Sequence, residues 1–174
     1  MRETVVAKPL VVQPSSTMTR DDEQFMNMAL DACRRGIDAG QSPFGACIVH
    51  LGNVIACAHN RVRLNTDSTA HAEVQAIREA CQKANTIHLE GATIYSTTEP
   101  CAMCFGAIHW ARITRVVYAA TVEEAQSFGF NELPISNHTL KRLSASAIEI
   151  VPGVMSKDAI DLFRLWQERV GDAY

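Results

Sequence analysis

From residue 19 onward, short apolar runs alternate with segments of helical period, a pattern that selects an α/β sandwich around one sheet. Phe25, Ala29, Leu30, Cys33 and Ile37 recur at helical spacing behind Asp21 and Asp22, which can cap the helix start, while Gly36 and Gly40 end it. Runs 46–51 and 54–58 flank Gly52-Asn53, a turn signal, and read as a β-hairpin. Polar residues 60–69 read as a loop. A helix then begins near Ala70, with Val74, Ile77 and Cys81 on one face and Asp67, Ser68 or Thr69 as its cap. Residues 92–97, Arg115–Ala120 and 145–151 read as strands, and Pro100 opens a helix through Ile108 and Trp110, where a proline's fixed φ costs least. A last helix carries Ala159, Leu162, Phe163, Trp166 and Val170 on one face.

The length of 174 residues suits one domain, 19–174, preceded by an aperiodic stretch, 1–18, that reads as a mobile tail. No run approaches the roughly 18 apolar residues needed to cross a bilayer, and Lys8 and Pro9 interrupt the apolar start, so a cytoplasmic protein is expected. Cys33, Cys47, Cys57 and Cys81 each stand alone among apolar neighbours; only Cys101 and Cys104 form a close pair, which favours metal or redox chemistry over a disulfide framework. The formal net charge is −3, and no cluster of five basic residues exists to advertise a polyanionic partner.

Two segments carry the chemistry: Thr69-Ala70-His71-Ala72-Glu73 and Glu99-Pro100-Cys101-Ala102-Met103-Cys104. At i and i+3, both thiols face one way from a helix start, whose partial positive charge favours thiolate. His71, at a second helix start, can supply a third ligand. The other histidines are scattered, so three ligands and an open position indicate a catalytic rather than a structural zinc, which lowers the pKa of a bound water to about 7. Glu73, two residues from His71, is then the candidate proton carrier; without the cysteines it would read as an ordinary first-turn glutamate.

H-x-E followed by P-C-x-x-C is the signature of the zinc nucleobase deaminases, so the chain resembles the cytidine deaminase superfamily from about Thr19 to its end. That resemblance implies a three-layer α/β/α sandwich with a mixed sheet of about five strands, one zinc per chain on His71, Cys101 and Cys104, and catalysis by Glu73. Within the superfamily, Ser42-Pro43-Phe44-Gly45-Ala46, His59-Asn60, residues 104–112, Phe128-Gly129-Phe130 and the terminal Tyr174 resemble guanine deaminases of bacterial type; relatives acting on transfer-RNA adenosine usually carry Val where Phe44 stands. The resemblance implies a flat base held by Phe44, Asn60, Ala72, Trp110, Glu132 and Tyr174, in a homodimer whose C-terminal segment (155–174) closes over the site, exchanged between subunits in some relatives. Thr98, in place of a Cys, and Asn131-Glu132, in place of an Asp-Asp type pair, depart from that pattern and bear on the substrate. Guanine is the first expectation. Transfer-RNA adenosine and other small aminated purines, pterins, triazines or pyrimidines stay open, as do a non-catalytic zinc-stabilised module and a thiol redox protein.

Overall fold

The structure is a computed structural model that describes residues 20–172; the expected tail 1–18 and Tyr174 lie outside the described residues. Five strands, β1 (Gly45–His50), β2 (Asn53–His59), β3 (Thr93–Thr98), β4 (Arg115–Ala120) and β5 (Glu149–Val151), form one sheet in the order β2-β1-β3-β4-β5. β1 pairs antiparallel with β2 and β3, whereas β3, β4 and β5 run parallel. The sheet is therefore mixed, as expected.

Alternate residues of each strand feed two separate cores. Cys47, Val49, Tyr95, Val117 and Val151 pack beneath helices α1 (Arg20–Asp38) and α7 (Ser156–Arg169), with Phe25, Met26, Ile37, Leu162, Phe163 and Trp166. Between the first two strands and β3 come a one-turn helix α2 (Val62–Asn65) and α3 (Ala72–Ala84); then follow α4 (Ala102–Trp110), α5 (Val122–Ser127) and α6 (Asn137–Ser144). Ala46, Ile48, Ile94, Val116 and Ile150 face α3 and α4 through Ala72, Ala76, Ala80, Phe105 and Ile108. The two helical layers and the sheet between them make the expected three-layer sandwich.

The local differences have physical causes. Asp22 lies in the first turn of α1, buried, and accepts from Arg115 at 2.6 and 3.0 Å and from the Tyr95 hydroxyl at 3.0 Å, tying α1 to β3 and β4. Leaving such a buried charge unpaired typically costs about 3–5 kcal/mol. Gly36 does not end the helix; a Cβ there would come 2.8 Å from His59 Cβ, so glycine lets α1 lie close to β2. Leu51 and Gly52, both at positive φ, make the hairpin turn in place of Gly52-Asn53, and a bulge at Ile48/Val49 shifts the register. That shift sets Cys47 opposite Cys57 with sulfurs 2.7 Å apart, so these two free cysteines do not stand alone.

The stretch 60–69 contains α2 rather than loop alone, and the last strand is three residues, not seven. α3 begins at Ala72 behind His71, and α4 at Ala102 behind Cys101; both preceding residues are extended and give no side-chain cap. Asp67 instead accepts from Thr69 within the preceding turn. Pro100 stands two residues ahead of α4 rather than opening it.

Candidate active site

The two uncapped helix starts meet. α3 lies against α4, and this brings His71 Nδ1 to 3.7 Å from Cys101 Sγ and 3.6 Å from Cys104 Sγ. Zinc bound tetrahedrally, at about 2.3 Å from sulfur and about 2.0–2.1 Å from nitrogen, sets nitrogen and sulfur about 3.6 Å apart. The three ligand atoms lie within 4.8 Å of one another, so they fit a zinc ion and could hold one. Each residue that should cap its helix with a side chain instead turns that side chain to the cluster.

The thiols are unequal. A hydrogen bond with Cys104, followed by the His71 contact, holds Cys101 down to about 4, against the opposing effect of burial. Cys104, hydrogen-bonded to Cys101 and buried, stays well above the ordinary thiol range. The pair thus keeps one proton, which metal binding would release.

Glu73 is buried in the first turn of α3. Ser96 on β3 donates to its Oε1 at 3.0 Å, and its Oε2 lies 3.4 Å from Cys104 Sγ. Burial raises its pKa; the His71 charge and the Ser96 hydrogen bond work against that rise.

Phe44, His71, Glu73, Thr98, Glu99, Cys101 and Glu132 line one cleft of about 250 Å³, its open mouth included. Phe44 stands edge-on to Phe130 at 4.8 Å and to Phe163 at 5.7 Å, so the α7 layer fixes one wall. Burial pushes the Glu132 carboxyl up to about 6, with the Cys101 charge adding to the rise.

Sequence reasoning missed Glu99. It is buried and accepts from the Asn137 backbone N–H at 2.6 Å, while Asn137 Nδ2 donates to the Pro100 carbonyl at 2.6 Å. Gln126 Nε2 donates to the Glu132 carbonyl at 2.9 Å. The loop bearing Glu132 is therefore held at that residue and again at Asn137. Its position beside Pro-Cys in the motif was the available signal.

Three of the expected residues are not among those lining this cleft. Ala72 is buried in the apolar core beneath α3. Asn60 is buried, and its Oδ1 accepts from Val62 N–H at 3.0 Å, the part of a turn residue at the start of α2. Trp110 is 80% exposed at the last residue of α4 and does not line the cleft, contrary to expectation.

A His-Cys-Cys cluster with tetrahedral spacing, a buried glutamate beside it and a mixed α/β/α sandwich define a zinc-binding deaminase site. The model of the cytidine and deoxycytidylate deaminase zinc-binding region matches residues 19–120, and the chain belongs to that family. It is 41% identical over 123 residues to the tRNA-specific adenosine deaminase of Aquifex aeolicus (strain VF5), across 68% of this chain and 82% of the relative. It is 44% identical over 111 residues to the guanine deaminase of Bacillus subtilis (strain 168), across 63% and 71%. The solved guanine deaminase from Nitrosomonas europaea superposes with a TM-score of 0.78 at 28% identity, covering 96% of this chain and 97% of that one.

Proposed function

We propose that this deaminase acts on a free base, guanine first, converting guanine and water to xanthine and ammonia. The observation that carries the reading is the Glu132 carboxyl, which lines the cleft beside Glu73. Glu73 and Glu132 line it with Glu99, whose carboxylate is taken up by the Asn137 and Val122 backbone N–H groups, and among the described residues no Lys or Arg lines it. Carboxylates accept hydrogen bonds, and guanine presents several ring and amino N–H donors, whereas a nucleotide phosphate calls for cationic partners. Phe44 supplies an apolar face for a flat ring.

Held by His71, Cys101 and Cys104, zinc would supply the Lewis acidity that readies a water near neutral pH. Glu73 takes a proton from that water and delivers it to the ring nitrogen beside the amine-bearing carbon. The water oxygen bonds to that carbon, and Glu73 then carries the second proton from this oxygen to the amino group, whose C–N bond breaks as ammonia departs. Ser96 orients Glu73 for both transfers. Glu132 holds the base edge, and Phe44 keeps the ring flat. The segment after α7 closes over the base, and two copies of the chain assemble.

A second reading, editing of adenosine in transfer RNA, is favoured by the kinship with the Aquifex enzyme. Measuring ammonia release from guanine, guanosine, cytosine, adenine, ammeline and intact transfer RNA separates the two. Release from guanine is expected; inosine formation in transfer RNA without activity on guanine would reverse the ranking.

A further inference from the structure

We infer that the Thr98 hydroxyl is a hydrogen-bonding contact for the substrate base and helps set which aminated base the cleft accepts; this rests on reading the cleft as a base pocket. β3 alternates its side chains between the two faces of the sheet. Ser96, which holds Glu73, and Ile94, packed under α3 and α4, share one face. Thr98 is two residues beyond Ser96 and therefore faces the same way, toward the cleft it lines.

The neighbouring threonine makes the contrast. Thr97 faces the other side, and its Oγ1 accepts the Gly45 N–H at 3.0 Å. Thr98 is equally buried, at 4% exposure, yet its Oγ1 has no partner among the described residues. Five other buried side-chain atoms share that condition, on Ser42, Gln75, His88, Asn137 and Trp166, and none of those residues lines the cleft. A buried hydroxyl without a partner is a cost to folding that calls for an explanation. One positioned beside Glu73 and Glu132 finds it in a ligand. As both donor and acceptor, a hydroxyl can meet either a ring nitrogen or an N–H of the base.

The test compares Thr98→Val, which keeps the shape and removes the hydroxyl, with Thr98→Ser, which keeps the hydroxyl. Both are made as zinc-loaded full chains, with steady-state kinetics on the base that the wild type deaminates fastest. Titration calorimetry with guanine on the same variants in a Glu73→Gln background, where turnover is suppressed, reads binding apart from catalysis. Thr98→Val is expected to raise KM and Kd about 3- to 10-fold, the scale of one hydrogen bond, with zinc content unchanged and the melting temperature equal or higher. Thr98→Ser is expected to restore both constants. Wild-type constants in Thr98→Val, equal impairment in both variants, or a lowered melting temperature in Thr98→Val would each overturn the inference. A wild type that binds guanine without deaminating any base would instead sink the functional reading and leave the variant comparison decisive; one that neither binds nor turns over a base overturns both.

Discussion

Ser96 fixes Glu73: its hydroxyl donates to one carboxylate oxygen at 3.0 Å, while the other oxygen lies 3.4 Å from Cys104 Sγ. A strand and a helix therefore agree on where the proton carrier stands. Neither oxygen is left to wander, and the carboxyl is buried where its charge is costly.

From this geometry Glu73→Gln is expected to keep zinc and fold while losing at least about 10²-fold in kcat, the lower scale of general acid–base catalysis. Ser96→Ala should lose less, because it frees the carboxylate without removing it. Kinetics on zinc-replete proteins check both. Near-normal turnover by the glutamine variant would end the proton-carrier assignment.

Zinc is expected at about one per chain by elemental analysis, with Cys101→Ala strongly depleted, because removing one thiolate leaves two ligands where three have tetrahedral spacing. Chelation should lower the melting temperature, since metal bound to the folded state adds to its stability. Full zinc retention in Cys101→Ala would refute the ligand set.

The metal-ligand types were legible because no other chemistry explains His71, Glu73, Cys101 and Cys104 together. The helix starts were placed one or two residues early because the caps are the ligands, extended residues with no capping hydrogen bond to betray them. Glu99 stood in the motif, but its role was not legible because its partner is a backbone N–H 38 residues away. The exposure of Trp110 was not legible because α4 is apolar on nearly every side, and period alone cannot say which side faces out. The Cys47–Cys57 neighbourhood depends on a bulge that alternation does not encode.

Glu99→Ala should strand the Asn137 N–H and loosen the loop that presents Glu132. Losing one buried acceptor costs about 1–3 kcal/mol, and each kcal/mol moves the melting temperature of a chain this size by about 2–4 °C. KM should rise while zinc content holds. A melting curve unchanged from wild type would show that the loop does not depend on Glu99.

Trp110 and Met103 are seven residues apart on α4, on one face, with 80% and 37% exposure, while Cys104, Phe105 and Ile108 are buried. An exposed apolar helix face marks an interface. The expected homodimer should therefore fall to monomers in Trp110→Glu by light scattering, with the melting curve at low concentration little changed. A dimer that survives the substitution would place the interface elsewhere.

Gly171 and Asp172, just after α7, are tied to that helix and to α2. At Gly171 a positive φ of +65° lets the helix terminate, its N–H bonding the Trp166 carbonyl at 3.0 Å. Arg63 from α2 then holds Asp172 through its carboxylate at 3.0 Å and through its backbone carbonyl. Trp166 packs on Phe130, and Phe130 on Phe44, which lines the cleft. Deleting residues 171–174 is expected to lower kcat/KM by removing a cover that excludes water, and Arg63→Ala should reproduce part of that loss. Stability should hardly move: the carboxylate of Asp172 is 79% exposed, and an exposed ion pair contributes about 1 kcal/mol at most, under about 4 °C of melting temperature. Steady-state kinetics beside melting curves decide the matter. If kcat/KM is unchanged in both variants, Arg63 and Asp172 make an ordinary surface pair and the segment does not cover the site.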